Sequence, residues 1–265
     1  MLRLFSKELT GYFSSLTGYI VIIIFLLSTS LFIWIFPGDV NIPESGYAHL
    51  TPLFQIAPWV FLFLAPAVTM RFFSEEKKSG TLDLLLTKPI SDFKIVFAKF
   101  LAGVTIVLFA LIPTLIYYYS VSQLASPPGN IDHGATIGSY LGLFFLAAIY
   151  VAIGVFSSSL AQNQIIAFLI AFSLSFVIFV GFQAIGTLVG DSHPGFIFNG
   201  LAAIFSFDPK SLLIEIGFLI KQLGIEEHYR SISRGVIDLR DIIYFISVAA
   251  FFILLTKTKL QSRKW

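Results

Sequence analysis

Long charge-free apolar runs alternate with short polar segments along this chain. Thr17 to Phe36 reads TGYIVIIIFLLSTSLFIWIF. Leu53 to Phe73 is uncharged as far as Arg71, and Ala98 to Val121 is uncharged after Lys99. Gly138 to Phe156 and Ile165 to Val189 carry no charge, while Ile242 to Leu255 is shorter and reaches spanning length over 236–256. A membrane-crossing helix needs about 20 mostly apolar residues. The pattern therefore predicts six spans, at 17–36, 53–73, 98–121, 138–156, 165–189 and 236–256. Barrel strands would be about 10 residues long and would alternate apolar with polar. These runs are longer and do not alternate, so the expected fold is an all-α integral membrane protein. A signal peptide would have an apolar region of about 7–15 residues before a small-residue cleavage site. The first run ends instead in Phe36-Pro37-Gly38-Asp39 and reads as an uncleaved anchor.

Composition narrows the classes. The 265 residues are 57% hydrophobic and 12% charged, against about 45–50% and 25% in soluble domains. Mean hydropathy is +0.88. A disordered chain would need the opposite balance. With no cysteine, a disulfide scaffold, thiol catalysis and Cys-ligated zinc are excluded. A net charge of only +2 argues against a nucleic-acid binder. The basic residues do report orientation. Arg3 and Lys7 precede the first span; Arg71, Lys77, Lys78, Lys88, Lys94 and Lys99 flank the second and third; Lys257, Lys259, Arg263 and Lys264 follow the sixth. All three segments fall on one side, so both termini are expected in the cytoplasm of a bacterium, with the chain in its inner membrane. Lys210, Lys221, Arg230, Arg234 and Arg240 lie in the long segment before the sixth span, balanced by Glu215, Glu226, Glu227, Asp238 and Asp241.

Ionisable groups within a span mark ion paths and proton relays. Arg71, Lys99 and Asp241 all sit at span boundaries, which disfavours a secondary transporter and intramembrane proteolysis. His49, His133, His193 and His228 are scattered and read as ordinary surface residues without a metal-ligand pattern. No G-x-x-x-x-G-K-[ST] loop is present, so nucleotide hydrolysis by that device needs another chain.

Two elements on the basic side stand out. In residues 1–16, Leu2, Phe5, Leu9, Tyr12, Phe13 and Leu16 recur at helical spacing opposite Arg3, Lys7, Glu8 and Ser14, predicting an interfacial amphipathic helix. In the segment 74–97, Leu82, Leu85 and Leu86 form one face of a short helix that Ser79 or Thr81 could cap and Pro89 stops. Such a ridge suits a hydrophobic groove on a partner; a membrane-dipping connector is the plain alternative.

The string Glu75-Glu76-Lys77-Lys78-Ser79-Gly80-Thr81-Leu82-Asp83-Leu84-Leu85-Leu86-Thr87-Lys88-Pro89 resembles the signature of ABC-2-type exporter permeases, E-E-[KR]-x-x-G-T-[LI]-E-L-L-L-x-x-P, with Asp83 in place of the usual Glu. Lys7-Glu8-Leu9 with Tyr12-Phe13, the loop Ser157 to Gln164, and His228-Tyr229 through Asp241 are similar to further parts of that family in the same order. Within it the overall run is most similar to gliding-motility permeases. The resemblance implies a membrane-spanning subunit of an ATP-driven exporter, itself without enzyme activity. A coupling helix would dock on a separate cytoplasmic ATPase dimer, which would bind ATP and Mg. It assigns ATPase coupling to Glu75, Glu76, Lys77, Lys78, Gly80, Thr81, Leu82, Asp83, Leu85, Leu86 and Pro89. A minor contact falls to Ser158, Gln162 and Gln164. It also implies a second permease, identical or related.

Residues 190–235 hold two short apolar runs, Phe196 to Phe207 and Leu212 to Leu223, separated by Asp208-Pro209-Lys210. They predict an external hairpin dipping into the membrane, or an amphipathic cover without a transport role. Gly138 and Gly142 form a G-x-x-x-G step that permits close helix packing. Ser173, Ser175 and Gln183 are the one polar group in the fifth run that could line a pathway. A non-transporting membrane scaffold for a cytoplasmic machine is the alternative reading from another class.

Overall fold

A computed structural model describes residues 1–87, 89–191, 209–235 and 238–262. Among them the structure is helical without strands, and six helices are long and apolar enough to cross a membrane: Gly18–Ile35, Thr51–Lys78, Asp92–Leu124, His133–Leu160, Gln164–Gly190 and Leu239–Gln261. The chain is a multi-pass all-α membrane protein. A surface helix α1 (Leu2–Phe13) precedes α2 (Leu16–Ser30) and its π turn Leu31–Ile35. After α3 (Ile42–Ser45) the second span comprises α4 (Thr51–Thr69) and α5 (Arg71–Lys78). The short α6 (Thr81–Leu86) leads to the third span, α7 (Asp92–Leu111) and α8 (Leu115–Leu124), broken at Ile112–Thr114. Pro113 lies in that break, where a missing N–H and a ring clash stop an α-helix. The fourth span is α9 (His133–Leu160). The fifth is α10 (Gln164–Phe176), a π turn Val177–Gly181, and α11 (Phe182–Gly190). Helices α12 (Pro209–Gln222) and α13 (Ile225–Ile232) precede the sixth span, α14 (Leu239–Gln261).

The middle spans form the core. Within an apolar stretch of 18 residues, the second, third and fourth bury 61%, 61% and 72% of their residues, whereas the first and fifth bury 22%. Phe61, Ile106 and Tyr150 are fully enclosed. Ile20, Ile23 and Leu27 on α2, Ile165, Leu169 and Leu188 on the fifth span, and Ile246 and Phe251 on α14 stand exposed. Leaving a Leu or Ile in water forgoes about 1.5–3 kcal/mol, so these faces belong against lipid or another apolar surface.

Helix ends differ from the charge-free runs in instructive ways. The third span begins at Asp92 and so carries Lys99 inside it. Asp238 accepts from the Arg240 N–H and starts α14, which runs on to Gln261. Helix α12 lies against α11 at glycine–glycine contact: a Cβ on Gly217 would stand 2.5 Å from the Gly186 carbonyl oxygen. The second arm of the expected hairpin therefore packs on the end of the fifth span. Its first arm, Phe196 to Phe207, lies outside the described residues.

Candidate functional site

The basic end of the bundle is organised around a break in the second span. Met70 ends α4, its N–H donating to the Pro66 carbonyl at 2.9 Å. Beyond it, the N–H groups of Phe73 and Ser74 donate to the Ser158 hydroxyl oxygen at 2.9 and 3.1 Å, and that hydroxyl donates to the Met70 carbonyl at 3.1 Å. A side chain inserted into the i→i−4 ladder is a recognised cause of a kink. The approach needs small neighbours. A Cβ on Gly154 would fall 1.9 Å from Thr69 Oγ1, and one on Gly103 would fall 2.6 Å from Val151 Cγ1. The Lys77 ammonium donates to the Ser159 carbonyl oxygen, fastening α5 to the end of α9 a second time.

Lys99 is fully buried in α7. Its ammonium donates to Glu8 Oε1 at 2.7 Å and to the Phe72 carbonyl at 2.6 Å, and stands 3.1 Å from Glu76 Oε2. The Phe73 ring centroid lies 5.0 Å away. Lys7, itself well exposed, reaches Glu76 at 3.3 Å. One buried cation thus joins the surface helix α1, the break helix α5 and the third span. A cavity of about 450 Å³ opens beside this knot, lined by Lys7, Glu8, Tyr12, Arg71, Glu75 and Glu76 among others. The Tyr12 hydroxyl is buried without a hydrogen-bond partner among the described residues. Burial pushes its pKa well above the ordinary tyrosine range, opposed by the positive charge of Arg71, so it stays neutral.

Beyond α5, Gly80 turns the chain at φ 70°, the left-handed region that suits glycine. Ser79 and Thr81 hydroxyls meet at 2.8 Å ahead of α6. On α6 the structure corrects the expected inserting ridge. Leu82 and Leu85 are 2% and 9% exposed and belong to the chain's own core, while Leu84 is 67% exposed. A helix this short buries one side, and the core takes the side that the i, i+3 spacing marked. Glu75, Lys78, Gly80, Thr81 and Pro89 are exposed around it. The side chains of Asp83 and Leu86, and residue Lys88, lie outside the described residues. Ser158 is likewise inward, used entirely on the break, whereas Gln162 is exposed and Gln164 half-buried. Asn163 caps α10, its Oδ1 accepting from the Ile165 N–H at 2.9 Å.

The family model described as ABC-2 family transporter protein matches residues 40–258. The chain belongs to the ABC-2 transporter family. It is a permease subunit of an ABC transporter, and membership implies partnership with a separate ABC ATPase. No curated protein matches the chain.

At the opposite end, this ABC-2 permease ties α13 to the bundle. Pro58 lacks an N–H, which deprives the Phe54 carbonyl of its helical donor. The buried Tyr229 hydroxyl donates to that carbonyl at 2.6 Å. Burial holds the Tyr229 pKa well above the usual tyrosine range. The G-x-x-x-G step is consumed inside the chain. A Cβ on Gly138 would meet the Gly235 backbone at 3.0 Å, and one on Gly142 the Ile232 side chain at 2.8 Å. Ser139 donates to the Ser233 carbonyl at 2.8 Å in the same contact. His228 is buried, contrary to the surface role expected for it. Its Nδ1 lies 2.7 Å from Asp241 Oδ1 and its Nε2 2.9 Å from the Gln222 carbonyl, and its ring stacks on Tyr244 at 3.9 Å. Among the described residues no group of His, Asp and Glu could hold a metal ion.

The expected polar pathway group does not assemble. Ser173 is exposed, Ser175 is fully buried, and Gln183 lies beyond the π turn. Residues two apart on a helix point about 200° apart, so Ser173 and Ser175 cannot share a face. A cavity of about 470 Å³ lies instead between α4, Phe179 of the π turn and α13.

Proposed function

We propose that the chain is the membrane subunit of an ATP-driven exporter, working in a pair with an identical or related permease. A cytoplasmic ATPase dimer, which binds ATP and Mg, docks at its basic end. Both termini then lie in the cytoplasm of a bacterial cell and the Tyr229 end faces outward. The observation that carries the reading is the α5–α6 corner. It is anchored from behind by Ser158, Lys99 and Lys77, and it presents Leu84 and Glu75 outward. A groove on the ATPase that grips Leu84 moves a rigidly held segment of the second span. Driving a two-state permease from 1:99 to 99:1 takes a difference of about 5.5 kcal/mol between its two docked states. Likeness of the overall run to gliding-motility permeases supports placement in a motility-associated complex.

The test is co-purification of the tagged chain from its native membrane in gentle detergent, comparing wild type with Leu84→Glu. Leu84 is exposed, so the variant folds. Loss of a soluble ATPase from the variant alone supports the coupling role. An ATPase held equally by both forms refutes docking at Leu84, and none with the wild type refutes the exporter.

A further inference from the structure

We propose that the outward cavity and the groove beneath it form one binding site for a single-leaflet lipid with an anionic headgroup. The cavity carries aromatic walls, Phe54, Trp59, Phe179 and Tyr229, under two arginines, Arg230 and Arg234. Glu226 neutralises Arg230 at 2.7 Å, whereas Arg234 has no ion-pair partner among the described residues. The cavity mouth therefore holds a net positive charge that suits a phosphate or carboxylate. Trp59 also lines an apolar groove of about 400 Å³ between the first two spans, with Ile24, Phe32, Val60 and Phe63. From Thr51 at the cavity to Phe63 in the groove, the helix advances about 18 Å at 1.5 Å per residue. That is about half of a hydrocarbon core and therefore the depth of one leaflet. Headgroup and chain of one lipid match the charge above and the apolar track below. As the transported class, this lipid rests on the exporter reading; binding by the chain does not.

The site contains its own reporter. In a Trp34→Phe/Trp265→Phe background, Trp59 is the remaining tryptophan. The permease is placed in phosphatidylcholine nanodiscs with rising fractions of acyl-brominated phosphatidylglycerol or acyl-brominated phosphatidylcholine, and Trp59 quenching is read. No ATPase is present, so a negative result leaves the ATPase capture experiment untouched. Half-quenching is expected at a roughly fivefold lower fraction of the anionic lipid, the factor one arginine contributes at such a surface. Arg234→Gln abolishes the preference, Arg234→Lys keeps it, and Arg240→Gln, at the same end but outside the site, leaves it intact. Equal quenching by both lipids overturns the proposal. So does an equal loss in Arg240→Gln, which would mean diffuse surface charge.

Discussion

Replacing Lys99 with Met tests the central ionic knot. Methionine fills similar volume and removes the cation. Glu8 and Glu76 oxygens both touch the Lys99 nitrogen, at 2.7 and 3.1 Å, so they lie no more than about 6 Å apart in the fold. Without the cation, two carboxylates at that separation repel by about 3 kcal/mol at an effective dielectric constant of 20. Breaking a buried pair from one side costs about 3–5 kcal/mol, which agrees. Lys7 remains on Glu76, but its side chain is 65% exposed, and such a pair contributes about 1 kcal/mol at most. The repulsion wins, and Lys99→Met should lose about 3 kcal/mol. The assay is the thermal unfolding midpoint of the purified permease in detergent. Adding Glu8→Gln to Lys99→Met should restore most of the loss, because it removes one of the two repelling charges. A Lys99→Met midpoint equal to wild type would refute the reasoning, as would a double variant no more stable than the single.

Ser158→Ala should cost about 2 kcal/mol, since two buried N–H groups lose their acceptor; the thermal midpoint measures it. Gly138→Val should lower the midpoint by a core-overpacking cost of about 1–3 kcal/mol while leaving the oligomeric state on size exclusion unchanged, because Gly138 packs on Gly235 of its own chain. Tyr229→Phe should cost about 1–3 kcal/mol by orphaning the Phe54 carbonyl, and Pro58→Ala in the same chain should recover much of it by returning a helical N–H. The raised Tyr12 and Tyr229 pKa values favour the folded state below the unfolded tyrosine pKa of about 10. That contribution is lost only as pH climbs above 10, so a midpoint scan from pH 6 to 9 should show no step from these phenols.

The six spans were legible because twenty apolar residues in a row carry their own meaning. The interior of the basic end was less so. Lys99 reads as a boundary residue because it follows a charged loop, yet Ile95, Ala102 and Ile106, all buried, share its face at i−4, i+3 and i+7. A lysine on the apolar stripe of a helix signals a buried partner, and Glu8 on α1 was that partner. Ser158 gave no comparable sign, since a run of three serines at a helix end reads as a loop. Its role depends on where Met70 falls across the fold. The leucine spacing on α6 marks a face on which Leu82 and Leu85 meet the chain's own core instead of a partner. Periodicity identifies an apolar side but not whether that side meets its own core or another protein.

The second span connects the two ends through places where its own ladder fails. Near the end opposite the basic one, Pro58 leaves a carbonyl that α13 satisfies through Tyr229. Near the basic end, the ladder parts after Met70 and α9 satisfies it through Ser158. Between them Phe61, Leu62 and Ala65 are buried beside a second interior proline, Pro66, and a close-packed segment transmits displacement instead of absorbing it. The Pro58 break is hydrogen-bonded by one side chain and the Met70 break by the Ser158 and Ser74 hydroxyls, so exchanging a partner costs about 1–3 kcal/mol per bond. That is within the 5.5 kcal/mol or so that a docked ATPase must supply to switch a two-state element. The same helix carries Trp59, which faces both the cavity and the groove. With an ATPase docked at the α5–α6 corner as proposed, a push there would reach the candidate lipid site along this helix, and Tyr229→Phe should loosen the joint at Pro58 without touching the surface that the ATPase would grip.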